Sequence, residues 1–329
     1  MSQDAALIIN NIFGGYFVKY NGSKYVDAVN DVSLLIRRNE IFGIAGESGC
    51  GKSTLLKIIY GYLRPPLIVK QGSVILPLKD EKVSILSLSE EERRRKVWWK
   101  VISWIPQNSM NVLNPTMRIK DNFVEIMRAH MNIAKKEAME MAIDYLHKTG
   151  LPKDVINAFP HQLSGGMRQR LVIALALITK PQIILADEPS TALDVVMQRG
   201  VLQLLANSQR TLRNTIVMVT HDLAIHAMLC DRVAIMYAGK IVEIATSKEL
   251  FEDPLHPYTQ MLLASLPRLG DKELRQGIRG SPPDLSAPPK GCRFHPRCTY
   301  MKEICKSEPP LLVEADKEHF VSCYLYSGV

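Results

Sequence analysis

The stretch Ile41-Phe-Gly-Ile-Ala-Gly46-Glu-Ser-Gly-Cys-Gly51-Lys52-Ser53 decides the fold. Its first five residues form a short apolar run, which predicts a buried strand that enters a tight loop. A helical pattern then runs from Lys52 to Tyr60 and stops at Gly61, with Pro65 and Pro66 beyond it. A strand, a glycine-rich loop and a helix in this order are the setting that a phosphate-binding loop requires.

The loop fits the pattern G-x-x-x-x-G-K-S, which has a specific chemistry. Its glycines let backbone N–H groups point inward at phosphate oxygens, and the following helix offers the positive end of its dipole. We expect Lys52 to reach the β and γ phosphates and the Ser53 hydroxyl to bind Mg²⁺. Cys50 is interpreted as a small filler residue and not as a nucleophile. The predicted ATP-binding residues of this segment are Gly46, Glu47, Ser48, Gly49, Cys50, Gly51, Lys52, Ser53 and Thr54.

A second acidic site follows the apolar run Ile183-Ile-Leu-Ala, which ends in Asp187 and Glu188. At the carboxyl end of a strand beside a phosphate loop, Asp187 can hold Mg²⁺ through water. Glu188 is then placed to polarise the attacking water as a general base. Without the phosphate loop, the same residues would be interpreted as an acidic turn.

The segment Leu163-Ser-Gly-Gly-Met-Arg-Gln169 resembles the signature motif of ABC-type ATPases. It opens a predicted helix over residues 167–179, so its amides form a second anion site at a helix N-terminus. The resemblance implies that Ser164, Gly165 and Gly166 bind the nucleotide of a facing subunit. It therefore implies that ATP lies between two ATPase subunits.

Further landmarks of this family occur in order along residues 5–250. Gln107 resembles the residue that contacts Mg²⁺ and links to the helical insertion. The segment Ser190-Thr-Ala-Leu-Asp194 resembles the loop that crosses the dimer interface. His221 resembles the switch histidine that senses the γ phosphate, and Tyr16 the aromatic residue that stacks on adenine. The aromatic side chains near Tyr16 in the sequence are Phe13, Phe17 and Tyr20.

Other apolar runs indicate how the fold continues. Strands are predicted at residues 183–186 and 215–220, a hairpin at 232–245, and helices from 119 to 148. We predict an α/β fold of the ABC ATPase type: a mixed, mostly parallel central sheet, an N-terminal antiparallel β portion, a helical subdomain at about 110–175 and a small loop-rich C-terminal domain. The ATPase domain would span residues 1–253 and the extension 254–329.

Composition excludes several classes of protein. Hydrophobic residues make up 47% and charged residues 22%, which is ordinary for a globular chain. The net charge of +8 is interpreted as a solvated basic surface, because the densest basic run, residues 93–96, is too short for a nucleic-acid footprint. No secretory signal and no stretch of the roughly 20 apolar residues needed to cross a bilayer occur, so we expect a protein that is kept inside the cell. If it works on a membrane, we expect it to do so through a partner, and the family resemblance implies a peripheral position at the cytoplasmic face.

Two segments of the tail indicate which subgroup of ABC-type ATPases the sequence resembles. Residues 256–267 (HPYTQMLLASLP) and 291–298 (GCRFHPRC) resemble the extension of oligopeptide and dipeptide importer ATPases. The resemblance implies peptide cargo, with oligosaccharides or nickel as alternatives. The implied partners are a second ATPase subunit, in a hetero-pair or a homodimer, two integral membrane permeases and, indirectly, a solute-binding protein. A soluble ABC ATPase acting on nucleic acid or ribosomes is the remote alternative, and the tail could also be a binding or sensing module.

Four of the six cysteines, Cys292, Cys298, Cys305 and Cys323, have the spacing C-x5-C-x6-C-x17-C. In a reducing compartment, such a group indicates a metal centre before disulfides. Four thiolates suit Zn²⁺ or an iron–sulfur cluster, and the absence of a C-x2-C pair favours [4Fe–4S] over zinc. Zinc and a tail without any metal are the alternatives. The family resemblance also implies a cluster. His295, beside Pro296, is interpreted as a loop residue and is the alternative ligand.

Overall fold

The structure is a computed structural model that describes residues 4–19, 23–79, 81–107, 112–191, 193–266 and 277–326. The chain divides into two compact units. The first unit comprises the described residues of Met1–Ala6, Arg37–Ile41 and Ser84–Met218, and the second those of Leu7–Ile36, Phe42–Val83 and Val219–Val329. The predicted boundary between residues 253 and 254 stays a prediction.

The strands, in chain order, are β1 (Ala5–Lys19), β2 (Ser23–Arg37), β3 (Ile41–Ala45), β4 (Leu67–Pro77), β5 (Lys82–Ser84), β6 (Ile102–Ile105), β7 (Ile183–Asp187), β8 (Thr215–Val219), β9 (Arg232–Tyr237), β10 (Lys240–Thr246), β11 (Val313–Asp316) and β12 (His319–Val321). The helices are α1 (Lys52–Tyr60), α2 (Glu90–Lys96), α3 (Ile119–Met131), α4 (Lys135–Lys148), α5 (Gly165–Leu177), α6 (Val195–Leu212), α7 (Leu223–Leu229), α8 (Ser247–Glu252), α9 (Pro257–Ala264) and α10 (Ile304–Ser307).

The second unit contains two sheets. Most of β1, β2, β4 and β5 forms a four-stranded sheet in the order β2-β1-β4-β5, in which β1 and β4 are antiparallel. The other sheet runs β11-β12-β10-β9-β3, with β3 parallel to β9 and β9 antiparallel to β10. All five residues of β3 are buried, as expected for a strand covered on both faces. The mixed sheet and the N-terminal antiparallel portion are confirmed.

The first unit combines parallel strands with helices. β6 pairs in parallel with β7, and Ile105 lies opposite Ala186. The helical insertion predicted between them is present as α3 and α4, which pack together. Ile119, Phe123 and Met127 recur every four residues on the buried face of α3, as helix geometry requires.

The tail has more regular structure than the sequence predicted. We expected a loop-rich segment with little buried core, but β12 pairs antiparallel with β10, placing Glu243 opposite Val321. Val321, Tyr258 and Phe294 are buried. The strands were missed because they are only four and three residues long and lie among prolines.

Candidate nucleotide-binding site

The phosphate loop of the second unit connects β3 to α1. The helix begins at Lys52, and Gly51 caps it with a left-handed φ of 110°. A Cβ on Gly51 would lie 2.0 Å from the Ala28 carbonyl oxygen, and one on Gly46 would lie 2.1 Å from that of Met236. Only glycine fits at these two positions, because the loop backbone presses against neighbouring main chain.

Lys52 is buried at the base of this loop. Its Nζ donates to the carbonyl oxygens of Gly46 at 2.8 Å and Glu47 at 2.9 Å. It also lies 3.6 Å from Cys50 Sγ. The Lys52 ammonium is therefore held by the same main chain that is expected to surround the phosphates. At this position its positive charge can bind the phosphate oxygens.

Cys50 is buried inside the loop. Burial raises the pKa of its thiol, and the nearby Lys52 only partly opposes that effect. A protonated thiol is a poor nucleophile, which supports its interpretation as a filler residue.

Tyr16 lies beside the first turn of α1. Its hydroxyl is 3.0 Å from Thr54 Oγ1, so a hydrogen bond joins the predicted adenine-stacking residue to the end of the phosphate loop. Phe17 is exposed and Phe13 half-buried, whereas Tyr20 lies outside the described residues. The adenine assignment stays a prediction.

His221 is exposed and directly precedes the N-cap of α7. Asp222 caps that helix by accepting a hydrogen bond from the Ala224 N–H at 2.9 Å. The other histidine of this region, His226, is buried, and burial lowers its pKa to about 4. Of the two, only His221 is placed where a ligand could reach it, and its switch role stays a prediction.

The acidic pair lies in the first unit, at the carboxyl end of β7. Asp187 is buried as the last residue of the strand, and Glu188 adopts a positive φ of 48° just after it. The Thr191 hydroxyl donates to Glu188 Oε2 at 2.6 Å. That contact fixes the carboxylate in one orientation, which a general base needs.

Gln107 lies at the same edge of the first unit's sheet. β6 is parallel to β7, and Ile105 of β6 lies opposite Ala186 of β7. Gln107 follows Ile105 by two residues, just as Glu188 follows Ala186. Gln107 is exposed in a turn. The structure thus brings the predicted coupling residue and the predicted general base to one edge.

The signature segment begins α5. Ser164 is the N-cap, and its Oγ accepts a hydrogen bond from the Met167 N–H at 3.3 Å. Gly165 and Gly166 occupy the first turn, where backbone N–H groups have no partner within the helix. The helix starts two residues earlier than predicted, because serine is a strong N-cap even before two glycines.

Two valines are exposed just beyond the predicted interface loop. Asp194 caps α6, and Val195 and Val196 are 80% and 79% exposed. Ala192 of this loop lies outside the described residues. Adjacent exposed apolar side chains are a common feature of surfaces that contact a partner.

Two contacts of the phosphate loop were not predicted from the sequence. Tyr258 Oη accepts a hydrogen bond from the Glu47 N–H at 2.9 Å, and Arg297 pairs with the Glu47 carboxylate at 2.8 Å. The partners lie 211 and 250 residues away in the chain. No local pattern could have indicated them.

The four tail cysteines line one cavity of the second unit. Cys292, Cys298, Cys305 and Cys323 share it with apolar side chains such as Phe294. None of these four cysteines forms a disulfide bond. Among the described residues, no group of three or more His, Cys, Asp or Glu side chains is arranged to hold a metal ion.

Comparison with known families gives two matches. The model of the ABC transporter family matches residues 29–191, which include the phosphate loop, the signature segment and the acidic pair. The model of the oligopeptide/dipeptide transporter C-terminal region matches residues 242–305. In the described part of the chain, no helix combines the length and hydropathy needed to cross a bilayer.

Similar curated proteins match along nearly the whole chain. The dipeptide transport ATP-binding protein DppD of Caldanaerobacter subterraneus subsp. tengcongensis is 41% identical over 304 residues, covering 92% of each chain. The oligopeptide transport ATP-binding protein OppD of Bacillus subtilis is 42% identical over 316 residues, covering 94% of this chain and 86% of its own.

A solved structure confirms the fold. The ATP-binding cassette MJ0796, determined as a dimer in a post-hydrolysis state with ADP and Pi, superposes with a TM-score of 0.63 at 28% identity. The match covers 73% of this chain and 98% of that cassette. The chain therefore belongs to the ABC transporter family of ATP-binding subunits, in the branch that carries the oligopeptide/dipeptide transporter C-terminal region.

Proposed function

We propose that this chain binds and hydrolyses ATP to energise the import of di- and oligopeptides through a membrane ABC transporter. One observation carries the proposal: a single chain joins a phosphate loop to a C-terminal region that matches oligopeptide/dipeptide transporters. Its relatives are dipeptide and oligopeptide transport ATP-binding proteins. Oligosaccharides or nickel remain the alternative cargo, because an ATP-binding subunit does not contact what is carried.

The proposed chemistry gives each predicted site residue a role. Lys52 and the loop amides would hold the triphosphate, while Ser53, Gln107 and Asp187 offer the oxygen ligands that Mg²⁺ prefers. Mg²⁺, when bound, neutralises charge that develops on the phosphates. Glu188 would accept a proton from the attacking water, and His221 would sense the γ phosphate.

Pairing with a second ATPase subunit would complete the site. The amides of Gly165 and Gly166, which have no partner within helix α5, suit the phosphates of a nucleotide held by the partner. The exposed Val195 and Val196 support a contact surface next to the predicted interface loop. We propose a hetero-pair, with a homodimer as the alternative, bound to two permease subunits at the cytoplasmic face of the membrane. A solute-binding protein would deliver the cargo on the other face.

Gln107→Ala should slow both peptide transport and the ATP hydrolysis that is coupled to it. The amide lies at the sheet edge beside the Glu188 position, from which the chain continues toward the helical insertion, so its loss should interrupt communication with the permease. We expect transport-coupled ATP hydrolysis in the assembled transporter to fall about fivefold or more, with MgATP affinity nearly unchanged. Unchanged peptide uptake would contradict the coupling role.

The four cysteines of the C-terminal extension line one cavity, and four thiolates suit an iron–sulfur cluster or a zinc ion. Their open spacing in the sequence, without a C-x2-C pair, favours the cluster. We propose Cys292, Cys298, Cys305 and Cys323 as its ligands and zinc as the alternative.

Burial favours the neutral thiol at three of these four cysteines. Burial raises the pKa of Cys292 to about 11, and the nearby Cys305, Cys323 and Cys298 add to that effect. Burial also raises the pKa of Cys298 and Cys323. A bound iron centre would supply the positive charge that converts such thiols to thiolates.

Protein purified without oxygen should be brown and contain about four irons and four sulfides per chain. Cys305→Ala should lose that iron, whereas Cys230→Ala, at a buried cysteine that does not line the cavity, should keep it. Metal analysis and visible absorption measure both variants. A colourless protein with one zinc per chain would show that the cluster assignment is wrong.

Identification of the chains that co-purify from native membranes tests the proposed function. We expect two permeases, an ATPase subunit and a solute-binding protein with affinity for peptides. A solute-binding protein specific for oligosaccharides or nickel would favour the alternative cargo. Co-purification with nucleic acid or ribosomes, and without permeases, would contradict the importer role.

A further inference from the structure

The side chain of Glu47, the second residue of the phosphate loop, is held by the C-terminal extension. Arg297 Nη1 donates to Glu47 Oε2 at 2.8 Å, and Nη2 donates to Oε1 at 3.1 Å. This bidentate pair is largely shielded from water, since the two side chains are 6% and 23% exposed. Such a pair fixes geometry as well as charge.

The main chain of Glu47 is held by the same extension. Its N–H donates to Tyr258 Oη at 2.9 Å, and Tyr258 is fully buried against Tyr237. Burial raises the pKa of Tyr258, so its hydroxyl stays neutral and keeps this contact over the physiological pH range. Both the backbone and the carboxylate of Glu47 are therefore anchored outside the loop.

Glu47 is also in direct contact with Lys52, the lysine proposed to bind phosphate. Its carbonyl oxygen accepts a hydrogen bond from Lys52 Nζ at 2.9 Å. A chain of direct contacts therefore runs from Arg297 through Glu47 to Lys52. A shift of Glu47 would move the backbone that Lys52 and the loop amides depend on.

Arg297 is itself rigidly placed. Its Nε donates to the Arg279 carbonyl at 2.9 Å, and Nη1 also donates to Tyr237 Oη at 3.3 Å. The residue lies in a short turn between Cys292 and Cys298, and the His295 N–H closes that turn on the Cys292 carbonyl at 3.0 Å. The guanidinium has partners on every side, which a lysine could not reproduce.

We propose that Arg297 is a positioning residue that, with Tyr258, holds the phosphate loop in the shape that accepts nucleotide. The affinity of this subunit for ATP then depends on its C-terminal extension, although no residue of the extension needs to touch the nucleotide. The inference rests on the proposed ATP site at Lys52 and Ser53. It gives the extension a role in ATP binding besides holding the cysteines.

Arg297→Met tests the proposal in the intact chain. Arg93→Met is the control, because Arg93 is also a buried arginine, 8% exposed, and its Nη1 donates to the Ile85 carbonyl at 3.3 Å. Arg93 belongs to the first unit, whereas the phosphate loop belongs to the second. Both variants should lower the melting temperature. Only Arg297→Met should raise the Kd for MgATP, by about 10-fold, at a temperature where both are folded.

Steady-state kinetics give a second readout. Arg297→Met should raise the KM for ATP with a smaller change in kcat, because Glu188 is untouched. Glu47→Gln keeps the side-chain shape but removes the charge, so it should weaken MgATP binding in the same direction even if Arg297→Met fails to fold. Arg297→Lys should bind MgATP more tightly than Arg297→Met but less tightly than the unaltered chain.

Two results would overturn the inference alone: an unchanged Kd in both Arg297→Met and Glu47→Gln, or equal weakening by Arg93→Met. Absence of MgATP binding by the unaltered chain would overturn the proposed function together with the inference. These outcomes are separated by measuring the unaltered chain first.

Discussion

Glu188→Gln is expected to slow ATP hydrolysis by about 100-fold or more while MgATP still binds. The carboxylate follows β7, and the Thr191 hydroxyl orients it through a 2.6 Å hydrogen bond. Glutamine keeps the size of the side chain and can still accept that hydrogen bond. It cannot accept a proton from water, so binding should survive and the chemical step should not.

Phosphate release by the assembled transporter and equilibrium MgATP binding measure the two effects separately. Glu249→Gln is the control, because the Thr246 hydroxyl donates to Glu249 Oε2 at 2.8 Å in the same kind of contact away from the proposed ATP site. The control should retain turnover. Retained turnover in Glu188→Gln would refute its role as general base.

Lys52→Met is expected to weaken MgATP binding by about 10- to 100-fold and to reduce hydrolysis with it. The ammonium is held by the carbonyls of Gly46 and Glu47, next to the loop amides that would bind phosphate. Methionine fills similar space without charge. The variant should therefore fold, because removing a buried ammonium takes away a costly group.

Lys57→Met on the same helix serves as the control, because Lys57 lies in the last turn of α1, away from the phosphate end. Titration of both variants with MgATP, together with a thermal melt, separates loss of binding from loss of fold. Affinity equal to that of the unaltered chain in Lys52→Met would place the triphosphate elsewhere.

The elements around the phosphate loop could be predicted closely from the sequence. β3 and α1 have the predicted bounds, because a dense apolar run meets glycines at one end and Gly61 ends the helix at the other. The hairpin of β9 and β10 was predicted for a similar reason, since Ala238 and Gly239 lie between two apolar runs. Local chemistry determines such boundaries.

Elements that depend on distant partners could not be predicted in this way. β4 carries Lys70, Gln71 and Gly72 within its span, and it is a strand because β1 pairs with it along its length. β12 is a strand because β10 offers it an edge. Tertiary pairing overrides weak local preference in both.

Some features of the candidate site could likewise be predicted from the sequence, and others could not. The loop glycines, Lys52 and the acidic pair follow from sequence motifs, because the chemistry of phosphate binding needs those residue types at that spacing. The anchoring of Glu47 by Tyr258 and Arg297 depends on contacts across more than 200 residues. Only the folded chain brings these groups together.

ATP-driven uptake of labelled peptides into proteoliposomes containing the co-purified transporter is the most direct test of the central claim. With ATP on the side that carries this subunit, uptake should rise with hydrolysis, and both should be lost in the Glu188→Gln complex. Vigorous ATP hydrolysis without any uptake of di- or oligopeptides by the complete transporter would contradict the claim.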